Sequence, residues 1–237
     1  MSLHSAMIFA AGRGERMRPL TDVTAKPLLE VGGRRLIEWH LRKLAALGIR
    51  DVVINTSHLA AQFPQTLGDG SRWGLRIHYL DEGPVPLETG GGMLNALPSL
   101  GPDPFLLVNG DVWTDLDFAK LPEQPRGDAH LVLVDNPPHH ADGDFALGDN
   151  GAVQAEGAAR LTYAGIGVFR PGLFRNWRAI VGEVDGVDLR PPRFRLLPLL
   201  VDAMHRGAVS GQHHDGRWVD VGTPQRLGEL DAGLRRA

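Results

Sequence analysis

The sequence predicts an α/β fold: a Rossmann-like, doubly wound mixed sheet in a single domain, with a small antiparallel subregion. Three observations lead to this prediction. Apolar strands alternate with amphipathic helices in the first half of the chain, the pattern of a parallel sheet with helices on its faces. Two glycines follow the first strand directly. After a strand that begins at Ala129, a stretch rich in Pro, Gly and Asp is typical of short hairpins.

Apolar spacing and turn residues place the individual elements. In the first half they are a helix over 34–48 ending at Gly48, a strand over 51–55, a weaker helix over 59–67, a strand over 76–80, a loop over 81–92, a helix over 93–100, a strand over 105–109 and a helix near 115–121. In the second half they are the strand from Ala129, hairpins with a turn at 149–151, a strand over 163–169, a helix within 191–207, a strand ending at Asp220, and a last helix with Thr223 as N-cap and Pro224 as its first residue.

The composition fits a globular domain and argues against several classes of protein. Hydrophobic residues make up 43% and charged residues 22% of the 237 positions, close to globular averages, which argues against disorder. A net charge of −3 argues against a nucleic-acid or membrane-surface binder, because those partners select basic proteins. The absence of cysteine excludes disulfides, thiolate metal ligands and cysteine nucleophiles.

The N-terminal apolar stretch is too short for the core of a signal peptide and lacks a cationic start. No segment approaches the roughly 20 apolar residues of a membrane helix. We therefore expect a cytoplasmic protein.

The stretch FAAGRGERMRPLTDVTAKP, residues 9–27, predicts a polyphosphate site. A buried strand that opens into a glycine loop directs backbone N–H groups outward, and the three arginines and Lys26 that follow supply countercharge. A dinucleotide-binding turn is disfavoured, because Met17 replaces its third glycine and Asn55 replaces the acidic residue after the second strand. The loop also lacks the Gly-Lys-Ser/Thr of a Walker A motif. A solvated basic turn remains the alternative.

Two aspartates follow strand ends. Asp111 comes after the strand over 105–109, and Asp220 ends the strand before the last helix. Ligands of open α/β sheets bind beyond the carboxyl ends of strands, so both side chains are placed for function. Either could instead cap a helix, but other residues serve as caps nearby. The pairs His139-His140 and His213-His214 have no third ligand at fitting spacing, so surface loops are the favoured interpretation, as for His58 and His78.

The run AAGRGERMRPLT followed by Lys26-Pro27 resembles the signature of the sugar-phosphate nucleotidyltransferases. Further segments continue the resemblance in order: LETGGG, VNGDV, YAGIGVF and WVDVGTP. The resemblance implies an enzyme that joins a nucleoside triphosphate to a sugar-1-phosphate with Mg²⁺ as cofactor. It implies a nucleotide-binding part over about 1–128 and a sugar-binding part over about 129–237, in a monomer or small homo-oligomer.

The resemblance also implies roles for particular residues. Arg16 and Lys26 would brace the triphosphate, and Asp111 and Asp220 would bind the metal. The residues implied around the nucleotide are Ala11, Gly12, Arg13, Gly14 and Gly90, and those around the sugar are Glu88, Asn109, Glu156 and Gly165. One departure concerns the segment Glu156-Gly157-Ala158, where many relatives read Glu-Lys-Pro. The lysine that helps to hold the sugar phosphate is therefore missing.

Alternatives stay open at this point. The sequence does not distinguish uridine, thymidine and guanosine nucleotides, nor does it identify the sugar. A glucose- or mannose-1-phosphate nucleotidyltransferase fits the same motifs. A non-catalytic sugar-nucleotide sensor could share the fold, but the presence of Arg16, Lys26, Asp111 and Asp220 favours an enzyme.

Overall fold

Strands and helices alternate in the first half of the chain, and strands predominate in the second. The computed structural model describes residues 3–236. The strands are β1 (Ser5–Phe9), β2 (Glu30–Val31), β3 (Arg34–Arg35), β4 (Asp51–Thr56), β5 (Arg76–Asp81), β6 (Phe105–Asn109), β7 (Val112–Thr114), β8 (Ala129–Val134), β9 (Phe145–Leu147), β10 (Val153–Gln154), β11 (Arg160–Phe169), β12 (Val209–His213) and β13 (Trp218–Asp220). The α-helices are α1 (Leu20–Val23), α2 (Leu36–Leu47), α3 (Gln62–Leu67), α4 (Glu88–Leu100), α5 (Trp177–Val181), α6 (Leu197–His205) and α7 (Pro224–Leu234).

Four parallel strands form one side of the sheet, in the order β6, β1, β4, β5, with β5 at the edge. The register places Ala6 beside both Val52 and Leu106. Side chains of β1 alternate between two cores, with Ile8 in one and Met7 in the other, and both are fully buried. A strand buried on both faces reads as a continuous apolar run, which explains the sequence pattern.

Helix α2 covers one face of this parallel sheet. Ile37, Leu41 and Leu44 form its apolar stripe, and all three are fully buried. The helix ends where Gly48 adopts φ +87°, a conformation that glycine accepts without a Cβ penalty. The predicted helix and its end are confirmed.

The second half of the chain continues the same sheet in mixed directions. β11 runs antiparallel to both β6 and β8, and β12 lies parallel to β8. β9 and β10 form an antiparallel hairpin around Gly151 at φ +76°. The mixed sheet with an antiparallel subregion is confirmed. The division near residue 128 stays a prediction.

Three predicted elements differ from the structure, whereas α6 lies within the predicted range 191–207. α3 begins at Gln62, later than predicted. α4 begins at Glu88, so the glycines of LETGGG lie in its first turns and not in a loop. The helix near 115–121 is wrong: only a 3₁₀ turn, Phe118–Lys120, is present. Its apolar residues Leu116, Phe118 and Leu121 are buried at a spacing that one helix face does not provide.

No helix within residues 3–236 is long and apolar enough to cross a membrane.

Candidate active site

A crevice at the carboxyl ends of β1, β4 and β6 contains three adjoining chambers, and Asp111 lines all of them. The first chamber, of about 260 Å³, is lined by Phe9, Ala10, Ala11, Gly12, Lys26, Pro27, Asn55, Glu82, Pro86, Glu88, Thr89, Asn109 and Asp111. The second, of about 320 Å³, is lined by Gly12, Gly14, Glu15, Arg16, Lys26, Asp111 and Gly222. The third, of about 360 Å³, is lined by Arg16, Asn109, Asp111, Val112, Pro137, His139, His140, Thr162, Tyr163, Ala164, Trp218 and Asp220.

The glycine loop after β1 folds around Lys26. Gly14 adopts φ +64°, and its carbonyl accepts a hydrogen bond of 2.8 Å from Thr21 Oγ1. A Cβ on Gly14 would lie 3.0 Å from Thr21 Cγ2 and 3.2 Å from Lys26 Cβ. The loop therefore requires glycine here both for its backbone angle and for close packing.

Lys26 and Asp111 form an ion pair where the first and second chambers meet. Lys26 Nζ lies 2.5 Å from Asp111 Oδ2. The lysine side chain is 9% exposed and the carboxylate 41%. A buried ammonium needs such a partner, and the more exposed carboxylate remains accessible from the crevice.

Pairing of β7 with β13 brings Asp111 and Asp220 to the same wall. Asp220 lies opposite Val112 in the antiparallel ladder, and Val221 N donates to the Asp111 carbonyl at 2.9 Å. Both carboxylates line the third chamber. The two residues are distant in sequence, so this strand pairing is what makes them a pair.

A separate apolar cluster lies beneath these polar groups. Met17 and Val221 are fully buried in it, and Trp113 is nearly so. Each of the three is next in the chain to a residue that lines the crevice. Met17 follows Arg16, Trp113 follows Val112, and Val221 follows Asp220. Packing of this cluster therefore fixes the backbone from which the charged side chains project.

Asp220 is held by two groups that sequence reasoning did not identify. The guanidinium of Arg226, in the first turn of α7, forms an ion pair with Asp220 Oδ1. His139 Nε2 lies 3.0 Å from the same oxygen. His139 is on an exposed loop, as expected, but it also lines the third chamber.

A partly buried hydrogen-bond chain closes the first chamber and was also missed. Asn55 Oδ1 accepts from Ala10 N at 2.9 Å, and Asn55 Nδ2 donates to Glu82 Oε1 at 2.8 Å. Glu82 Oε2 in turn accepts from Leu87 N. Burial raises the pKa of Glu82. The only sequence signal was polar side chains at the ends of β4 and β5.

The glycines of LETGGG pack against a distant segment. Gly90 N and Gly91 N donate to the Phe194 carbonyl at 2.9 and 3.0 Å. A Cβ on Gly90 would lie 2.6 Å from the Phe194 ring, and one on Gly91 would clash with the Pro192 carbonyl oxygen. These two glycines therefore allow the segment before α6 to cross the start of α4.

We expect Gly91→Ala to destabilise the protein by about 1–3 kcal/mol, because the clash is with backbone that cannot move aside cheaply. Gly228→Ala in α7 is the matched control: no atom lies within 4 Å of its Cβ position. Replacing a helical glycine with alanine there should stabilise by about 0.5–1 kcal/mol. Urea unfolding of both variants tests this, and equal effects would contradict the packing role of Gly91.

Glu88 begins α4 in a strained conformation. Its φ is +63°, which is unusual for a residue with a side chain. It lines the first chamber, with its Oε2 3.9 Å from Arg195 Nε. Strain at a ligand-facing position is a common feature of functional sites.

We expect Glu88→Gly to stabilise the fold by about 1 kcal/mol, because glycine adopts this φ without the left-handed penalty. Glu88→Ala keeps the penalty and should give no gain. Activity should fall in both variants if the carboxylate contacts substrate. Thermal unfolding and turnover measured together separate the backbone effect from the side-chain effect; an equal gain from alanine would contradict the strain.

The structure brings most of the predicted site residues together. Four lie outside the lining of the three chambers. Arg13 and Glu156 are exposed, Gly90 faces Phe194, and Gly165, at φ +70°, packs its Cα against the Asn109 side chain. Gly165 thus supports a residue that lines the first and third chambers. Direct roles for these four stay predictions.

The donor set fits a hard divalent cation. Within residues 3–236 no group of three or more His, Cys, Asp or Glu side chains forms a ready metal site. Asp111 and Asp220, however, present two carboxylates to one chamber. Magnesium is commonly bound by one or two carboxylates together with substrate phosphate oxygens and water.

Comparison with known proteins gives consistent matches. Residues 5–155 match the family model described as nucleotidyl transferase. The chain is 48% identical to N-acetylmuramate alpha-1-phosphate uridylyltransferase of Neisseria meningitidis serogroup B, over 96% of each chain. It is 34% identical to the protein of the same name from Caulobacter vibrioides, over 98% of this chain and 97% of the relative. A Bacillus anthracis crystal structure, provisionally assigned as a glucose-1-phosphate thymidylyltransferase in complex with sucrose, has the same fold, with TM-score 0.81 and 20% identity over 100% and 96% of the chains.

Proposed function

Because the chain belongs to the nucleotidyl transferase family, we propose that it transfers a uridylyl group from UTP to N-acetylmuramate-1-phosphate. A phosphate oxygen of the sugar-1-phosphate attacks the α-phosphorus of UTP and forms the new P–O bond. The bond between the α-phosphorus and the bridging oxygen breaks, and pyrophosphate leaves. The observation that carries the choice of substrates is the 48% identity to the Neisseria relative over nearly the full length of both chains.

The three chambers suit the three parts of this reaction. The first, with apolar walls and the Asn55–Glu82 chain, would take the base and ribose. The second, with Arg16 and Lys26, would take the triphosphate. The third, with Asn109 and Trp218, would take the sugar and its phosphate. The α-phosphorus would then lie beside Asp111, the residue common to all three.

Catalysis by these residues would be positioning and charge stabilisation. Arg16 would hold the β- and γ-phosphates, and Lys26 would turn from Asp111 towards the α-phosphate as negative charge develops there. No side chain needs to form a covalent intermediate, since the sugar phosphate is itself the nucleophile.

Enzymes of this family generally use a divalent metal, and for this chain we assign Mg²⁺. Asp111 and Asp220 would hold it. When bound, it supplies positive charge to the phosphoryl oxygens and the leaving pyrophosphate. The reaction would belong to the recycling of cell-wall sugars in the cytoplasm.

The test is pyrophosphate release with Mg²⁺, using UTP, dTTP, GTP and CTP against N-acetylmuramate-, N-acetylglucosamine-, glucose- and mannose-1-phosphate. We expect the strongest signal for UTP with N-acetylmuramate-1-phosphate. A stronger signal for glucose- or mannose-1-phosphate would keep the family and reassign the substrate. Silence throughout, with tight nucleotide-sugar binding by calorimetry, would indicate a sensor and contradict the proposal.

A further inference from the structure

Each of the two carboxylates assigned to the metal is paired with a cation of the chain itself. Lys26 pairs with Asp111, and Arg226 pairs with Asp220. The two cationic side chains are largely buried, with 9% and 18% of their surfaces exposed. Both pairs therefore place a desolvated cation directly beside a carboxylate that faces the crevice.

Arg226 lies at the boundary between the second and third chambers. Its Nη2 fills the space that a Cβ would take on Gly222, a residue that lines the second chamber. Its Nη1 lies 2.7 Å from Nε2 of His139, which lines the third. A Cβ on Gly222 would also lie 3.3 Å from Arg16 Nη2. Two guanidinium groups thus approach each other at Gly222, an arrangement that an anion between the chambers would stabilise.

We propose that Arg226 binds the phosphate of the sugar-1-phosphate, and that it neutralises Asp220 until substrates and metal are present. This rests on the proposed function. Asp220 Oδ1 is the atom that Arg226 contacts, so a cation bound to that oxygen competes with the guanidinium. Once released, the guanidinium lies beside His139 and Asp220, which line the chamber that would hold the sugar phosphate, and a phosphate offers it two parallel acceptors. Arg226 would then bind the sugar phosphate in the same way that Lys26 would bind the α-phosphate, by leaving its carboxylate partner.

The proposal predicts two opposite shifts in the variant Arg226→Gln. The Kd of the full chain for Mn²⁺, measured without substrate from the electron paramagnetic resonance signal of the ion, should fall by about tenfold, because the competing charged hydrogen bond is lost. The KM for N-acetylmuramate-1-phosphate should rise by about tenfold or more, because a charged contact to phosphate is lost. The KM for UTP should change by less than about twofold, well below the change that the loss of a charged contact would cause.

Two further variants provide controls. Gly222→Ala keeps the arginine but displaces its guanidinium, and should also raise the KM for the sugar phosphate. Arg235→Gln removes the arginine that follows the last residue of α7, whose side chain is 65% exposed and paired with Asp231. It should change neither Mn²⁺ binding nor the KM for the sugar phosphate.

Unchanged or weaker Mn²⁺ binding in Arg226→Gln would overturn the proposal, as would an equal rise in KM for both substrates. Mn²⁺ binding does not depend on the identity of the sugar. If the wild-type chain releases no pyrophosphate, the proposed function fails, while the metal measurement still decides whether Arg226 competes at Asp220. Arg226→Met, which also removes the charge and keeps most of the length of the side chain, replaces the glutamine variant if the latter does not fold, with the same expected shifts.

Discussion

Asp111→Asn is expected to lower kcat by about a hundred- to thousandfold, the usual cost of losing one preorganised group that faces transition-state charge. Asp111 lines all three chambers, and its carboxylate neutralises Lys26. The substitution keeps the shape of the side chain but removes the charge that would bind the metal. Pyrophosphate release under saturating substrates measures the effect.

Asp115→Asn is the matched control for this prediction. Asp111 immediately precedes strand β7 and Asp115 immediately follows it. The side chain of Asp115 is 45% exposed, close to the 41% of Asp111. Its carboxylate pairs with His214 outside the crevice, at 2.9 Å. We expect near-normal turnover. Circular dichroism should show an intact fold in both variants, and normal activity of Asp111→Asn would make the metal assignment wrong.

The stability of the protein should fall by about 3 kcal/mol between pH 6.5 and pH 4 because of His40. Burial lowers the pKa of this histidine from 6.5 to about 4. Its Nε2 lies 2.8 Å from the Val112 carbonyl, and its Nδ1 is buried with no partner among the described residues. A second proton would therefore have no acceptor in the folded state.

The sign follows from which state binds the proton. Below pH 6.5 the unfolded chain protonates His40 and the folded chain does not, so the free energy of unfolding decreases as the pH falls towards 4. Above pH 6.5 this contribution is fully present. Urea unfolding at several pH values should give a flatter pH dependence for His40→Gln than for the wild type. Identical slopes of the free energy of unfolding against pH for the two proteins would contradict the prediction.

Several features of the site could be predicted because each is encoded in a short stretch. The glycine loop with Arg16 and Lys26, and an aspartate directly after β6, are local patterns that any strand-to-crevice transition would bring to the same edge of the sheet. The end of α2 at Gly48 and the start of α7 at Thr223 follow from capping chemistry within one turn. These required no knowledge of long-range contacts.

Other features depended on residues far apart in the chain. The first turn of α4 exists because Thr89 and Gly90 bind the segment at 194–196; Thr89 Oγ1 accepts from Leu196 N across 107 positions. The local composition of residues 81–92 favours a loop, and the distant backbone acceptor overrides it. The prediction of a helix near 115–121 was wrong for the same physical reason, because burial of Leu116 and Phe118 outweighed local helix propensity.

By itself the sequence determined the fold class, the family and the glycine loop with its cations, because these rest on local spacing and side-chain chemistry. Only the tertiary structure decided that Asp220 is joined to Arg226 and His139, that Asn55 and Glu82 close the first chamber, and that the LETGGG glycines serve packing. Those outcomes depend on strand pairing and on close contact between distant segments. Spacing along the chain carries no information about either.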